Sequence, residues 1–279
     1  MQTSRAPVVG IESRLRRYVS RIGLLPVAFV IWRTLREWSP QLARRNRQAR
    51  REPSETLPIP PSSLIFSAAG SREVKWFLDS GKMAANCFKG ALLDMDRPIE
   101  SLSSVLDFGC GCGRVMRQWE SVQGPAFSGC DYNEKAIKWD QENLRFASFK
   151  KNNLQPPLPF GGASFDFCYG ISVFTHLPAS SQRPWIEELH RVVAPNGILI
   201  LTLSGRGDFR RLTEENRNLF ESGKLVVLDA KFAGTNMCGV YHPIEYVRRE
   251  WSDLFELRMH VPQGAMGSPH QDLFVFRRR

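Results

Sequence analysis

No stretch of this 279-residue chain approaches the ~20 consecutive apolar residues that a membrane-spanning helix needs. The apolar run Ile22-Gly-Leu-Leu-Pro-Val-Ala-Phe-Val-Ile-Trp32 is eleven residues long and is interrupted by Pro26. Arg33 follows it at once and no small-residue cleavage site is seen, so it is not read as a secretory signal. None of the six cysteines forms a Cys-x-x-Cys pair, and neither a zinc site nor a disulfide framework is signalled; reduced thiols in a cytosolic setting are expected. Lysine is absent from residues 1–52, where twelve arginines face only Glu12, Glu37 and Glu52, so this arm holds +9 of the net charge of +10. The rest of the chain is nearly neutral, which argues against a basic nucleic-acid channel there. A Gly-x-Gly-x-x-Gly fingerprint is also missing: counting six positions from Gly109 reaches Arg114, and from Gly111 reaches Met116. There is no internal repeat or low-complexity tract.

What is present is a globular composition, 42% hydrophobic and 11% aromatic, long enough for a sizeable core. Its most informative segment is Val105-Leu-Asp-Phe-Gly-Cys-Gly-Cys-Gly113. An apolar strand ends in Asp107-x-Gly109-x-Gly111-x-Gly113, and the glycines permit a tight turn and close approach of a ligand to the backbone. Asp107 would be out of place in a phosphate cradle but suits a ligand with an ammonium and a sulfonium group. A second strand, Ala126-Phe-Ser-Gly-Cys-Asp131, ends in a carboxylate able to accept both hydroxyls of a ribose. Two such strand ends make a nucleoside site that needs no phosphate.

With these residues the chain resembles the class I S-adenosylmethionine-dependent methyltransferases, of the bacterial small-molecule or sugar-modifying type. Four segments between Ser103 and Arg277 carry the resemblance: the glycine loop; Gly129-Cys-Asp131-Tyr-Asn133; Leu158-Pro-Phe-x-x-x-Ser164-Phe-Asp166-Phe-Cys-Tyr-Gly170; and Leu189-His-Arg-Val-Val-Ala-Pro-Asn196-Gly197. The resemblance implies S-adenosyl-L-methionine as cofactor and places Asp107, Gly109, Cys110, Gly111, Gly113, Gly170 and Ser172 beside it. It puts Asp131 on the ribose and Tyr132 against adenine. Many members carry an Asp after the third strand to accept from the adenine amine. This chain has Lys151-Asn152-Asn153-Leu154, where an asparagine oxygen, with Asn153 in view, and the Leu154 amide offer the same contacts; a plain loop turn is the alternative.

Strands and helices alternate from Ser103 onward, the pattern of a parallel sheet with helices on both faces. The expected strands are Ser104–Phe108, Ala126–Cys130, Arg145–Phe149, Phe165–Tyr169, Ile198–Leu203, Phe255–Val261 and Asp272–Phe276, with a hairpin opening at Leu225–Leu228. Helices are expected from Gly113 to about Gln123, over Asn133–Leu144, from a Ser180 or Ser181 cap to Val193, over Asp208–Ser222 and over Pro243–Trp251. The fold class is therefore α/β and Rossmann-like: a seven-stranded, mostly parallel sheet with an antiparallel last strand, plus a basic helical N-terminal arm. Residues 1–52 form that arm, 53–63 a proline-rich linker, and 64–279 the catalytic domain, in which 64–102 supply lid helices and 204–242 an insertion near the acceptor. Phe66, Trp76 and Phe77 read as lid residues by resemblance, or as core aromatics.

Transfer from a sulfonium asks mainly for alignment of the acceptor, and for a base only where the acceptor must lose a proton. The strand-four end, Gly170-Ile-Ser-Val173, has neither an Asn/Asp-Pro-Pro-aromatic motif nor magnesium-binding carboxylates, and Tyr169–Gln182 contains no Glu. A metal-independent small-molecule enzyme remains, with hydroxyl acceptors first and amines second; the resemblance implies a hydroxyl of a sugar or secondary metabolite. His176, just past strand four, is the candidate base; Tyr241 and His242 are candidates for the acceptor pocket. Two other classes stay open: an RNA-modifying enzyme gripping phosphates with the arm, and a non-catalytic cofactor-binding subunit. The arm reads as an amphipathic helix pair packed on the core or a second subunit, as a peripheral membrane contact over residues 13–51, or as a targeting segment. The expected location is cytoplasmic or membrane-peripheral.

Overall fold

The computed structural model describes residues 39–52, 55–268 and 270–279. The apolar run Ile22–Trp32 and most of the arm lie outside the described residues. Residues 1–52 and 53–279 are two separate compact units.

In the first unit, helix α1 (Pro40–Ala49) starts where Ser39 Oγ accepts from the Leu42 amide at 3.2 Å, with proline in the first turn. Arg44, Arg47 and Arg51, spaced three and four apart, surround one depression together with Gln48. Among the described residues, no helix is long and apolar enough to cross a membrane.

The second unit opens with helices α2 (Ser62–Ala69) and α3 (Val74–Leu93). Buried Val74, Phe77, Leu78, Ala84, Ala85, Phe88 and Ala91 recur at helical spacing on α3, and Ala84, Ala85, Phe88 and Ala91 join the core on one face of a sheet. The remaining helices are α4 (Glu134–Asn143), α5 (Ala179–Val192), α6 (Glu214–Glu221) and α7 (Ile244–Trp251). The strands are β1 (Ser104–Phe108), β2 (Ala126–Asp131), β3 (Ala147–Lys151), β4 (Phe165–Ile171), β5 (Val193–Ser204), β6 (Val226–Leu228), β7 (Gly239–Tyr241), β8 (Phe255–Val261) and β9 (Gln271–Arg278). Strands β3, β2, β1, β4 and β5 are parallel in that order; β9 runs antiparallel beside β5, and β8 antiparallel beside β9.

Helices cover both faces of the sheet. Phe88, Trp119, Phe127, Phe167 and Tyr169 fill one layer, while Leu106, Phe108, Trp185, Trp251, Phe274 and Phe276 fill the other. Each such side chain contributes ~1.5–3 kcal/mol when fully buried. β1, β4 and β5 read as nearly continuous apolar runs because both of their faces are buried. The chain leaves β1 for β2 on one side, while β4 lies on the other. Ligands in open α/β sheets bind at such a switch point, beyond the carboxyl ends of the strands.

The seven expected strands all form, most with shifted ends, and the hairpin expected to open at Leu225–Leu228 forms as β6 and β7, an antiparallel pair joined to β5 through Ser204 and Tyr241. The helix expected from Gly113 to Gln123 does not form. Turns and a 3₁₀ segment, Met116–Trp119, take its place, closed by i to i+3 bonds such as Gln118 N to Val115 O at 2.9 Å. The reason is inward anchoring: Arg117 is buried and donates to Glu55 and to the Leu57 carbonyl, both at 3.0 Å, while Trp119 is fully enclosed. The helix expected over Asp208–Ser222 is likewise split into a 3₁₀ segment, Arg206–Arg211, and α6, which Thr213 caps at the Asn216 amide. α5 begins after Pro178, with no serine cap.

Candidate active site

The glycine loop is pulled between β1 and β2 by one carbonyl: Cys130 O accepts from the Gly109 amide at 2.8 Å and from the Cys110 amide at 3.0 Å. Gly109 and Gly111 have φ of 75° and 58°. A Cβ on Gly109 would lie 2.5 Å from Val173 Cγ2, and one on Gly111 would lie 2.6 Å from Ala68 Cβ, so α2 closes over the loop at a distance only glycine permits. Asn133 Nδ2 donates to Ser67 Oγ at 3.1 Å and fastens α2 to the start of α4. The result is a cleft of about 310 Å³ at the carboxyl ends of β1, β2 and β4.

Asp131 lies in this cleft. Its Oδ2 accepts from the Gly111 amide at 2.9 Å and its Oδ1 from the Asn133 amide at 2.7 Å, which orients the carboxyl and leaves lone pairs for hydroxyl donors. Burial raises its pKa, and these amides act against the rise. Tyr132 and Leu154 flank the opening, 43% and 46% exposed. Asn152, also in the lining, donates from Nδ2 to Asn153 O at 2.7 Å, and its Oδ1 is buried without a partner among the described residues. Such an orphaned acceptor in the same cleft as Asp131 could accept from an exocyclic amine such as that of adenine. Asn153 and Leu154 line the cleft too, and the Leu154 carbonyl is occupied by Trp185 Nε1 at 3.2 Å.

Several residues expected at the ligand stand behind the loop. Asp107 shares a β1 face with Val105, turned towards α3, so it points into the core while Phe108 and Gly109 meet the cleft. Its Oδ2 accepts from Tyr169 Oη at 2.9 Å, and that hydroxyl accepts from Trp119 Nε1 at 2.9 Å. Burial pushes the Asp107 pKa up to about 7, against the pull of the Tyr169 hydrogen bond and of the Arg114 charge. Cys110 is buried, with its thiol 3.8 Å from Asp140 Oδ2, and burial drives its pKa well up. Gly113 backs onto Leu144 and Asp140, and Gly170 onto Leu201 and Phe108. Ser172 does line the cleft, in a left-handed conformation with φ of 59°, rare for a residue with a side chain. Its amide donates to Thr202 Oγ1 at 2.9 Å, and the two hydroxyls converge on Gln271 Oε1 at 2.8 and 2.7 Å. Gln271 is thereby held with its amide nitrogen directed away from them.

The three candidate catalytic residues separate. His176 lines the cleft. Its Nδ1 is 2.7 Å from Cys238 O, and since a carbonyl only accepts, Nδ1 carries the proton and Nε2 is the basic nitrogen of the neutral ring. His242 lies outside the cleft: it is 1% exposed, packed between Tyr246 and Trp251, with Nε2 3.0 Å from Gln182 Oε1. Burial lowers its pKa to about 3, so it stays neutral. Gln182 in turn donates to the Phe174 and Leu177 carbonyls at 3.1 and 2.7 Å, so His242 braces the 3₁₀ turn that carries His176. Tyr241 is buried beside Leu212, Phe220 and Val226, also away from the cleft.

Arg114 and Gln271 line the cleft without having been singled out in the sequence, whereas Gly234 and Asn236, also in the lining, belong to the insertion expected near the acceptor. Arg114 donates to Ser80 Oγ and Gly267 O, both at 3.0 Å, with its guanidinium 5.7 Å from the Trp76 ring centroid. Of the three aromatics read as lid or core residues, Trp76 lines the cleft, Phe77 is buried in the core and Phe66 is outside the lining. Among the described residues, no three of His, Cys, Asp or Glu converge as a metal-ligand set.

Residues 106–201, spanning the glycine loop to β5, match the family model of a methyltransferase domain. This segment is similar to methyltransferase domains, and the sheet around it has the Rossmann-like fold of S-adenosylmethionine-dependent methyltransferases. An uncharacterized protein of Haemophilus influenzae is 30% identical over 101 residues, 34% of this chain and 40% of that protein, so the match spans less than half of that relative. An S-adenosylmethionine-dependent methyltransferase from Mesorhizobium loti superposes with a TM-score of 0.52 at 15% identity, over 69% of this chain and 98% of that one. A Pyrococcus horikoshii protein gives 0.50 at 18% identity, over 70% and 90% of the two chains. A chain from the complex of the Haloferax volcanii Trm112 methyltransferase activator with a putative methyltransferase gives 0.50 at 15%, over 77% and 96%. At these identities the likeness is one of fold.

Proposed function

We propose that this protein uses S-adenosyl-L-methionine to methylate a hydroxyl group of a small neutral acceptor, such as a sugar or secondary metabolite. The observation that carries this reading is the placement of His176: its ring lies in the same cleft as Asp131, with its protonated nitrogen tied to Cys238 O. When bound, the cofactor supplies an electrophilic methyl group on a positively charged sulfur. Asp131 would hold the ribose hydroxyls, Asn152 the adenine amine, and Tyr132 and Leu154 the faces of the ring. His176 Nε2 would take the proton of the acceptor hydroxyl, a role typically contributing ~10²–10⁴-fold. Alignment of the acceptor by the cleft walls supplies the larger share, up to ~7–11 kcal/mol.

The neutral acceptor follows from the remaining lining. Apart from Asp131 and Arg114, the polar side chains there include Ser172, Asn236 and Gln271, which donate and accept without charge. The Arg114 guanidinium is already engaged by Ser80 and Gly267. The insertion over residues 204–242 forms part of the acceptor wall through Gly234 and Asn236. For the arm, we propose contact with an anionic membrane surface, supported by Arg44 and Arg47 of α1 with Arg51 just past its end, and by the apolar run Ile22–Trp32 in the sequence. The reaction is tested by incubating the protein and methyl-labelled donor with a cell extract and searching by mass spectrometry for a newly heavy, uncharged, hydroxyl-bearing metabolite. A heavy product that is RNA, protein or a metabolite methylated on nitrogen would overturn the acceptor assignment.

A further inference from the structure

One loop of the insertion is tied at three points, and two of the ties end on His176. The Gly234 amide donates to the His176 carbonyl at 2.8 Å, and the Cys238 carbonyl accepts from His176 Nδ1 at 2.7 Å. The third tie reaches the opposite wall: Tyr132 Oη donates to the Gly234 carbonyl at 2.8 Å. The same peptide segment therefore touches the residue that follows Asp131 and the candidate base. The loop between the ties is braced internally. Thr235 Oγ1 donates to Phe232 O at 2.8 Å and accepts from the Met237 amide at 3.3 Å, and the Cys238 amide donates to Thr235 O at 3.1 Å. A displacement at Gly234 is thus carried to Cys238 rather than absorbed between them.

We propose that the Tyr132 hydroxyl is a positioning group for His176, acting through Gly234, so that a nucleoside settling against the Tyr132 ring sets the imidazole for its task. This rests on reading the cleft as the S-adenosylmethionine site and His176 as its base. Tyr132 is 43% exposed, so removal of its hydroxyl leaves the core intact. Tyr132→Phe keeps the ring that faces adenine and loses only the bond to Gly234.

The test is NMR of the full chain carrying ¹³C-labelled histidine, with His176→Gln to identify the resonance and S-adenosylhomocysteine as the probe. In the wild type, the probe should shift the His176 ring signal. In Tyr132→Phe, read at saturating probe, the effect on the His176 signal should fall by at least half. Thr235→Val, which loosens the brace without touching either wall, should show the same uncoupling. Binding with an unchanged His176 response in both variants would overturn the proposal and leave the cofactor reading standing. Failure of the wild type to bind the probe would remove both.

Discussion

Asp107 and Tyr169 are register partners on adjacent parallel strands, and the tyrosine hydroxyl donates to Asp107 Oδ2 across 2.9 Å inside the core. Trp119 Nε1 completes the chain at the same hydroxyl. Tyr169→Phe leaves the buried indole N–H without its acceptor and the Asp107 carboxyl without its hydroxyl donor, with the Met116 amide still at that carboxyl. We expect a loss of ~1–3 kcal/mol in denaturant unfolding. The affinity for S-adenosylhomocysteine should stay within a few-fold of wild type, because Asp107 is not in the cleft lining. A large loss of affinity at unchanged stability would return Asp107 to the ligand.

A second carboxyl behind the loop makes stability depend on pH. Burial, with Asp107 and Asp131 nearby, pushes the Asp140 pKa up to about 9. The folded protein then holds this proton more tightly than the unfolded chain, in which an aspartate titrates at ~3.9. The contribution is fully present at pH values below the unfolded pKa and is lost as pH rises towards the folded one, with a slope of at most ~1.4 kcal/mol per pH unit. Asp140→Asn, which has no proton to lose, should unfold with a flatter dependence between pH 5 and 9, as followed by chemical denaturation. Equal slopes for the two proteins would contradict this.

The two histidines should fail differently. His176→Gln should keep the wild-type melting temperature and lose ~10²–10⁴-fold of labelled-methyl incorporation. His242→Ala empties a fully enclosed site and leaves Gln182 Oε1 without its donor, so we expect ~2–4 kcal/mol of destabilisation in thermal or chemical unfolding. A stable His242→Ala protein without activity would exchange their roles.

The arm is checked by flotation with vesicles containing anionic lipid, at low and high salt. The full chain should float with anionic vesicles and much less with neutral ones. Arg44→Glu combined with Arg47→Glu should weaken flotation, as should salt. Equal flotation of wild type and variant would refute the membrane surface as partner.

The sequence disclosed the features that are local along the chain. Asp131 caps its own strand, Asn133 caps α4 two residues later, and the glycine loop follows β1 directly, so each is written in a short spacing. The direction of Asp107 was hidden because β1 is apolar on both faces and gives no alternation from which to read its phase. Gln271 was invisible for another reason: it meets Ser172 across 99 positions of chain, through an antiparallel strand whose register no local pattern states. His242 was expected near the acceptor because it closes the insertion, yet packing against Trp251 and a bond to Gln182 turn it inward. The missing helix after Gly113 has a similar origin, since the contacts of Arg117 with Glu55 and Leu57 override a helical pattern.

Asp131 and the glycine loop should together hold a nucleoside whose ribose is free of phosphate. Titration calorimetry of the full chain with S-adenosylhomocysteine tests it most directly. One ligand per chain should bind, Asp131→Ala should weaken binding at least tenfold, and a pyrophosphate dinucleotide should give no heat. Absence of binding, or equal affinity in the Asp131→Ala protein, would contradict the account.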